Sequence, residues 1–402
     1  KGLEDVFRSV FPIESQDGGM TLHYKEYILD EKSIKLDEFE CKQKGATYSI
    51  PLKARISLEK QGGIEDGVLQ EKVIYIGDIP LMTDRGTFII NGAERVVVSQ
   101  IHRAPGVVFS DEKGVYTSRI IPYRGSWLEF EIEKKKELIY ARIDRKKRIL
   151  GTIFLRALGF ETREEIIKLF YKTEKAKLYT KSAKNEHLEG KVLAKAIYAK
   201  EAEENGEKKK LFRAGDKVRL HDIDELKQLG INEIEIIDFE HEDSLESQMI
   251  LKCFEFEDVK YVKEDSGRDE PSKEDALNIV YSVLMPGEPM TAEGAAKDLN
   301  AMFFSTRRYD LGKVGRYKLN MKYKSGESDD GKPDDSGESV LTKTDIIETM
   351  KFLINIFIGK EKFDDIDHLG NRRVRSVGEL LANSLKIAFT RMERIAKERM
   401  SL

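Results

Sequence analysis

The dipeptide Asn91-Gly92 is the feature that most constrains the local fold of this 402-residue chain. Both residues tolerate positive φ angles, and a two-residue turn of this composition joins adjacent antiparallel strands. The dipeptide separates an apolar run at 87–90 from a second run at 95–100, so the sequence predicts a β-hairpin. The second run includes Val96 and Val98, whose β-branched side chains predict a strand that is buried on both faces.

Further patterns along the chain predict an α+β fold. Alternating or β-branched runs predict strands at 50–59, 73–76, 115–121, 128–132, 138–143, 192–198 and 234–239. Apolar residues at helical spacing and residues that cap helix N-termini predict helices at 164–171 and 222–229, and after Ser272, Thr291, Thr342 and Ser376. This mixture of strands and helices is the basis for the α+β assignment.

Composition excludes several classes of protein. Charged residues make up 35% of the chain but the formal net charge is only −4, so any nucleic-acid contact must come from local patches. The two cysteines, Cys41 and Cys253, lack the spacing of a metal site, which indicates a reducing compartment. No apolar run approaches the length of about 18 residues that a membrane span needs, and we expect a cytoplasmic location. Because the chain begins at Lys1 and stops at Leu402 within a helical pattern, we expect a fragment of a longer protein.

Charge is concentrated in the segment 364–380, DDIDHLGNRRVRSVGEL. Leu369-Gly370-Asn371 predicts a turn, because glycine and asparagine both accept positive φ. Arg372, Arg373 and Arg375 follow it, where an extended segment enters the last helix. Guanidinium groups held at such a position suit a phosphate or the edge of a base.

Four long motifs stand out along the chain, IGDIPLMTDRGTFIINGAERVVVSQIHRAPGV at 76–107, RIIPYRGSWLEFE at 119–131, YDLGKVGRYKLN at 309–320 and DDIDHLGNRRVRSVGEL at 364–380. Almost letter for letter, they resemble the β subunit of bacterial RNA polymerases. The resemblance covers nearly the whole chain and implies an N-terminal fragment of such a subunit. The implied partners are the β′, α and sigma subunits, the rest of β, and promoter and downstream DNA.

The resemblance also implies two domains. A discontinuous protrusion would comprise 1–103 and 364–402, and a mixed α/β lobe would be inserted between them at 104–363. Within the lobe, the lysine- and glutamate-rich region 172–264 is interpreted as a small satellite module. The acidic, low-complexity segment 325–339 predicts a flexible loop.

A pocket for an unpaired guanine of the non-template strand is the main site that the resemblance implies, at Arg103, Ile366, Asp367 and Arg372. Asp367 could accept the N1–H and N2–H of guanine while Ile366 packs on the base plane. The arginines would hold the phosphate and the O6 edge. A bidentate contact of this kind contributes about 1–3 kcal/mol of discrimination. The alternative is that Asp367 is only a structural ion-pair partner of Arg372 or Arg103.

Asp364, Asp365 and Asp367 could instead bind Mg²⁺ in a free-standing nucleotidyl transferase. The neighbouring arginines would neutralise these acids, and the chain has no Walker-type glycine loop for a nucleoside triphosphate. The resemblance places the catalytic Mg²⁺ on another subunit of the assembled DNA-directed RNA polymerase. We therefore expect no cofactor, metal or catalytic residue in this fragment. A module that contacts only other proteins is the third hypothesis.

Trp127 is the only tryptophan, and strand alternation places it with Glu129 on the face opposite Leu128 and Phe130. It is either a core residue or, as the resemblance implies, a platform on which a non-template base stacks, contributing about 1–3 kcal/mol. A basic run follows the next predicted strand and consists of Asp144, Arg145, Lys146, Lys147 and Arg148. It is either a solvated turn or a contact for DNA phosphates.

Three further sites rest on the resemblance. Arg95, Val98 and Gln100 would border the pocket for rifamycin antibiotics, although Val98 alone would be interpreted as a core residue. A gate loop facing the other large subunit would comprise Pro286, Gly287, Glu288 and Pro289, which could equally be an ordinary helix–helix turn. A transcription–repair coupling factor would add a strand at Leu69, Gln70 and Glu71, where the first two residues depart from the family pattern.

Overall fold

The computed structural model describes residues 2–15, 18–60, 67–179, 182–202, 208–242, 244–262, 270–287, 291–323 and 339–400. The chain forms two compact units, a first unit of Lys1–His102 with Arg373–Leu402 and a second unit of Arg103–Arg372. Helices and antiparallel strand pairs occur in both units, which agrees with the α+β assignment. No helix among the described residues is long and apolar enough to cross a membrane.

A four-stranded antiparallel sheet forms the base of the first unit. Its order is β1 (Ile13–Glu14), β2 (Met20–Leu29), β3 (Ser49–Lys60) and β4 (Gly67–Pro80), with β4 at one edge. The helices of this unit are α1 (Leu3–Val10), α2 (Glu38–Lys44) and α11 (Val377–Met400). Phe7 on α1 and Phe389 on α11 pack with ring centroids 4.7 Å apart, so the last helix shares a core with the first.

The hairpin around Asn91-Gly92 is confirmed. Strands β5 (Phe88–Ile90) and β6 (Ala93–Arg95) pair antiparallel, and both turn residues have positive φ. The prediction of a buried strand at Val96 and Val98 is wrong, because their exposed fractions are 64% and 73% and the next strand, β7 (Gln100–Arg103), begins later. A β-branched run is buried only where another element covers it, and the described part of this unit provides no such cover.

A five-stranded antiparallel sheet organises the second unit. Its order is β12 (Ile149–Leu150), β11 (Leu138–Ile143), β10 (Leu128–Glu133), β9 (Val115–Ile121) and β8 (Gly106–Glu112). The predicted strands at 115–121 and 138–143 are confirmed to the residue. Phe109, Phe130 and Phe154 are fully buried in the core on one face of this sheet.

Several helices of the second unit cover its sheet or pack on one another, and three of them start at predicted capping residues. They are α3 (Gly151–Ala157), α4 (Arg163–Phe170), α6 (Met249–Tyr261), α7 (Lys273–Leu284), α8 (Ala292–Phe304), α9 (Gly312–Tyr323) and α10 (Lys343–Phe357). The hydroxyls of Ser272, Thr291 and Thr342 cap α7, α8 and α10, as predicted. The predicted flexible loop lies outside the described residues except for Ser339.

The charged region after residue 171 contains a small core of its own. Its elements are β13 (Lys172–Lys177), β14 (Ile197–Ala202), β15 (Lys208–Phe212), α5 (Leu220–Gln228) and β16 (Glu233–Asp238). Leu188, Leu226 and Ile234 are buried in this core. The strand predicted at 192–198 is displaced, because Val192 and Leu193 form only isolated bridges and β14 starts at Ile197.

The unit boundaries differ from the expected domain boundaries at the second crossing. Residues 364–372 belong to the second unit, whereas we expected them in the same domain as the C-terminal helix. The physical reason is that Asp364 is bound to Phe109 on β8 and to Lys322 on α9, both in the second unit.

Candidate nucleic-acid interface

The segment 364–371, called here the acidic loop, is anchored at its start by Asp364. One carboxylate oxygen of Asp364 accepts the N–H of Phe109 at 2.9 Å, and the other accepts Nζ of Lys322 at 2.6 Å. The N–H of Asp364 donates to the carbonyl of Phe109 at 2.9 Å. The loop therefore begins beside the middle of β8, to which it is hydrogen-bonded.

The end of the acidic loop is anchored by Asn371. Its carbonyl accepts the N–H of Ala104 at 2.9 Å, and its side-chain amide donates to the carbonyl of Asp365 at 2.7 Å. Nζ of Lys318 on α9 donates to the carbonyl of Gly370 and to Oδ1 of Asn371. Burial lowers the pKa of Lys318, although the charge of Asp364 acts in the opposite direction. Both ends of the loop are thus held by the same unit.

Asp367 lies at the exposed tip of this anchored loop. Its side chain is 90% exposed, and its backbone N–H donates to Oδ1 of Asp365 at 3.0 Å. Nη1 of Arg372 is 3.9 Å from Oδ1 of Asp367, which is at the outer limit of an ion pair. An exposed pair at that distance contributes little to stability, so the geometry favours an available acceptor over a structural bridge. Ile366 beside it is half-buried.

Arg103 and Arg372 lie at the ends of two strands that form one ribbon. These are β7 and β17 (Arg372–Arg375), which are hydrogen-bonded neighbours. Arg103 is half-buried. Arg373 was expected to suit a phosphate or the edge of a base. Its guanidinium is instead engaged within the chain, because its Nη2 donates to Oε2 of Glu379 on α11 at 2.6 Å. The arginines of the motif are therefore not equivalent.

The three aspartates that the magnesium hypothesis requires have different hydrogen-bond partners. Asp364 is occupied by Phe109 and Lys322, and Asp365 accepts the N–H of Asp367. No group of three histidine, cysteine, aspartate or glutamate side chains in the described ranges is arranged to hold a metal ion. The geometry gives the magnesium hypothesis no support.

Hydrogen bonds of its backbone hold Trp127 beside residues 144–148, called here the basic turn. Its N–H donates to Oδ1 of Asp144 at 2.8 Å, and its carbonyl accepts the N–H of Asp144 at 3.0 Å. Its indole is half-buried, and the guanidinium of Arg145 lies 5.6 Å from its ring centroid, a cation–π distance. Leu128 and Phe130 are fully buried on the opposite face. Trp127 is therefore at the margin of the core, with part of its ring accessible.

The cations of the basic turn fall into two pairs. Nζ of Lys146 donates to the carbonyl of Leu284, the last residue of α7. Arg148 lies 3.7 Å from Glu133 and over the ring of Tyr140. Arg145 and Lys147 are exposed, and Lys147 has no ion pair within the part of the chain that the structure describes. Asp144 is a structural member of the turn, as its bonds to Trp127 show.

Glu112 is a residue of this surface that the sequence analysis missed. Both of its carboxylate oxygens accept hydrogen bonds from the guanidinium of Arg119, whose Nε donates to Oε1 of Glu129 at 2.8 Å. Hydrogen bonds from Arg119 are the largest cause that lowers the pKa of Glu112, while burial opposes them. The charges of Arg103 and Arg145 lower this pKa further, so two predicted DNA-binding residues act on one carboxylate. The available signal was a run of consecutive polar residues on each of the two strands, at 110–112 on β8 and at 117–119 on β9.

The remaining predicted sites are exposed or incompletely described. Arg95, Val98 and Gln100 are all exposed, so the interpretation of Val98 as a core residue is wrong.

The predicted strand-addition site lies on the edge strand β4, where Gln70 and Glu71 are exposed and nothing is described of the Leu69 side chain. Pro286 and Gly287 follow α7 in a turn, with Gly287 at φ +90°. Glu288 and Pro289 lie outside the described residues.

Comparisons with known proteins agree with the four motifs. A family model described as RNA polymerase Rpb2, domain 2, matches residues 93–256 and 226–375. The DNA-directed RNA polymerase subunit beta of Treponema denticola is 60% identical over 401 residues, and that of Treponema pallidum is 58% identical over 405. The corresponding subunit of Borreliella burgdorferi strain ZS7 is 50% identical over 407 residues. Each match covers 100% of this chain and 33% of the relative, so the chain spans about a third of the length of these relatives.

Proposed function

The chain belongs to the RNA polymerase Rpb2, domain 2, family, and from that premise we propose that it is part of the β subunit of a bacterial RNA polymerase. In this proposal the assembled enzyme performs nucleotidyl transfer, with the catalytic Mg²⁺ on another subunit. The chain forms one wall of the DNA channel and holds the non-template strand and the downstream fork. Its protein partners are the β′, α and sigma subunits and the rest of β, in the cytoplasm and on the nucleoid.

The exposed Asp367 carboxylate on an anchored loop is the observation that carries this proposal. The loop is held at Asp364 and Asn371, so the carboxylate is presented without a large ordering cost on binding. Guanine offers two adjacent N–H donors on its Watson–Crick edge, and a carboxylate can accept both. Adenine offers one donor and one acceptor there, so it loses one bond and faces a repulsive lone pair. Discrimination of about 1–3 kcal/mol is the magnitude expected for one such contact.

Ile366, Arg103 and Arg372 complete the proposed guanine pocket. The half-buried Ile366 offers an apolar surface to the base plane. The guanidinium of Arg372 is close enough to Asp367 to reach the O6 edge or the phosphate of the same nucleotide. Arg103 lies at the end of the neighbouring strand of the ribbon, which supports its assignment to the same pocket.

Trp127 and the exposed cations of the basic turn are proposed to hold a second stretch of the strand. A half-buried indole can stack on an unpaired base regardless of its identity. Arg145 and Lys147 are proposed as the phosphate contacts, since Lys146 and Arg148 are engaged within the unit. Trp127 would thus bind any base, whereas Asp367 would select guanine.

Three further contacts belong to the proposal. The exposed edge of β4 is suited to strand addition by a transcription–repair coupling factor at 69–71. The turn that begins at Pro286 is proposed as the gate loop that faces the other large subunit. Arg95, Val98 and Gln100 are proposed to border the rifamycin pocket, and their exposure is compatible with a surface that other segments complete.

The decisive experiment uses assembled polymerase with Asp367→Ala. Open-complex lifetimes are compared on two promoters that differ only in guanine or adenine at the second transcribed non-template position. We expect a preference for guanine in the unmodified enzyme and its loss in the variant. Asp298→Ala is the control, because Asp298 is a partly exposed aspartate on α8 that pairs only loosely with Arg308, at 3.7 Å. If neither enzyme distinguishes the promoters, the guanine pocket is refuted, although family membership stands.

A further inference from the structure

We propose that Lys318 on α9 is a positioning residue for the guanine pocket, because a chain of hydrogen bonds joins its ammonium to Asp367. This inference rests on the proposed function and adds to base selection a residue that lies outside the acidic loop. Lys318 would act without touching the base, by fixing the place at which the Asp367 carboxylate is presented.

The chain from Lys318 to Asp367 consists of three successive hydrogen bonds. Nζ of Lys318 donates to Oδ1 of Asn371 at 3.2 Å. The side-chain amide of Asn371 donates to the carbonyl of Asp365 at 2.7 Å, and Oδ1 of Asp365 accepts the N–H of Asp367 at 3.0 Å. The same ammonium also donates to the carbonyl of Gly370 at 2.5 Å. One side chain on α9 therefore holds both the backbone and the amide that organise the loop.

The stem of Lys318 is held where α9 and β8 approach each other closely. A methyl group on Gly106, the first residue of β8, would lie 3.1 Å from Cβ of Lys318 and 3.3 Å from its Cδ. A methyl group on Gly315 would lie 3.1 Å from Cβ of Pro105. The two glycines thus permit the close approach, and the lysine stem packs at Gly106. The ammonium is placed by the packing of the unit.

Asp367 depends on such support because its own side chain is loosely held. The side chain is 90% exposed, and its ion pair with Arg372 has a length of 3.9 Å. The position of its backbone therefore determines where the carboxylate lies. A selective contact requires a geometry held within about 0.5 Å. Hydrogen bonds from a charged donor are about twice as strong as neutral ones, so Lys318 is suited to hold the end of the loop.

A direct contact between Lys318 and a DNA phosphate is the alternative role. An ammonium has three N–H donors, and the contacts described above use two of them. A phosphate contact carries no sequence information, so its loss would shorten open-complex lifetimes on every promoter by the same factor. Loss of positioning would instead change the ratio of lifetimes on the guanine and adenine promoters.

The first experiment compares Lys318→Met with Lys313→Met in assembled polymerase, on the guanine and adenine promoters described above. Lys313 is an exposed lysine on the same helix, so its variant controls for the loss of one positive charge from α9. For Lys318→Met we expect the guanine-to-adenine lifetime ratio to fall by about threefold to tenfold, the size of coupling between interacting residues. Lys313→Met should leave the ratio unchanged. Added to Asp367→Ala, Lys318→Met should change the ratio no further.

A second variant, Asn371→Asp, breaks the chain at its next bond and retains an acceptor for Lys318. An ionised carboxylate accepts from the ammonium but has no N–H to donate to the carbonyl of Asp365. We expect the lifetime ratio to fall in this variant as well, although Lys318 keeps its charge and a partner. An unchanged ratio would overturn the chain as the route of positioning.

The outcomes separate this inference from the proposed function. If the unmodified enzyme does not prefer guanine, the proposed function fails and the inference fails with it. If guanine preference is present and depends on Asp367, but Lys318→Met keeps the ratio, only the positioning role is overturned. Shorter lifetimes on both promoters by the same factor would overturn it in favour of a phosphate contact. A further fall of the ratio when Lys318→Met is added to Asp367→Ala would also overturn it.

Discussion

The carboxylate of Asp364 accepts the backbone N–H of Phe109 at 2.9 Å, across 255 positions of the sequence. This bond fixes the start of the acidic loop beside the middle of β8. Because Lys322 occupies the other oxygen of Asp364, the carboxylate is unavailable to a ligand. Asp367, three residues later, is left as the exposed acceptor.

Asp364→Ala should destabilise the second unit. The substitution leaves the Phe109 N–H and the Lys322 ammonium without their acceptor, at a cost of about 1–3 kcal/mol for the lost partner of polar groups that are mostly buried. The free energy of unfolding in urea measures this. Asp298→Ala, on a partly exposed aspartate with only a loose ion pair, should change it by less than about 0.5 kcal/mol. An equally small effect of Asp364→Ala would contradict the anchoring role.

Asp367→Asn should move the preference of the pocket from guanine toward adenine. An amide presents one acceptor and one donor, which matches the N6–H and N1 of adenine as the carboxylate matches guanine. The ratio of open-complex lifetimes on the guanine and adenine promoters measures the change. This ratio should fall further in Asp367→Asn than in Asp367→Ala, which only loses the preference. Equal ratios for the two variants would count against direct contact with the Watson–Crick edge.

Neutralising Arg145 and Lys147 together should make the salt dependence of promoter-complex stability shallower. Each phosphate contact to a single strand contributes about 0.7 to the slope, so the expected decrease is about 1.4. Lys146→Gln with Arg148→Gln is the matched pair, and it should change the slope less because both side chains are engaged within the unit. The idea fails if the two double variants give the same slope.

Of these variants, Arg156→Met should lower the free energy of unfolding of the second unit most. Arg156 and Glu257 are both fully buried and 3.3 Å apart, and Arg156 also pairs with Glu270 at 3.0 Å. Removing one partner of such a pair typically costs about 3–5 kcal/mol, because the other charge stays buried. Adding Glu257→Leu should recover much of the loss. Arg8→Met, at an exposed pair, provides the comparison and should have little effect.

The stabilisation from Glu112 should depend on pH with a defined sign. The pKa of Glu112 is lowered in the folded chain, chiefly by hydrogen bonds from Arg119. Its contribution is therefore fully present above the ordinary pKa of a glutamate and is lost as the pH falls through the lowered value. The difference in unfolding free energy between the unmodified chain and Glu112→Gln should shrink toward acid. A difference that is constant over that range would exclude the charged pair as its source.

Local structure was predictable because its causes lie within a few residues. Asn91-Gly92 determines a turn through its own φ angles, and Thr342 caps α10 because its hydroxyl oxygen accepts the N–H of Asp345, three residues later. Val96 and Val98 show the limit of such arguments. Their side chains favour an extended chain, but whether anything covers them is decided elsewhere.

Most residues of the candidate site were predicted from the resemblance to a family. The different roles of these residues within the site were not predicted. Arg145 to Arg148 are alike in the sequence, yet Lys146 caps the carbonyl end of a helix that starts more than a hundred residues later. Glu112 was missed because its carboxylate is bound by Arg119 on the neighbouring strand, and no spacing within one strand indicates that pairing.

By itself, the sequence determined the hairpin turn, most strands and the starts of the capped helices, since backbone torsion preferences and near-neighbour hydrogen bonds specify these. The tertiary structure alone decided which carboxylates are occupied and which are presented. Asp364 and Asp367 are the same residue type in one motif, and they differ only because β8 and α9 place an N–H and an ammonium beside the first. Partners brought together over such distances follow from packing of the whole unit, which no short stretch of sequence encodes.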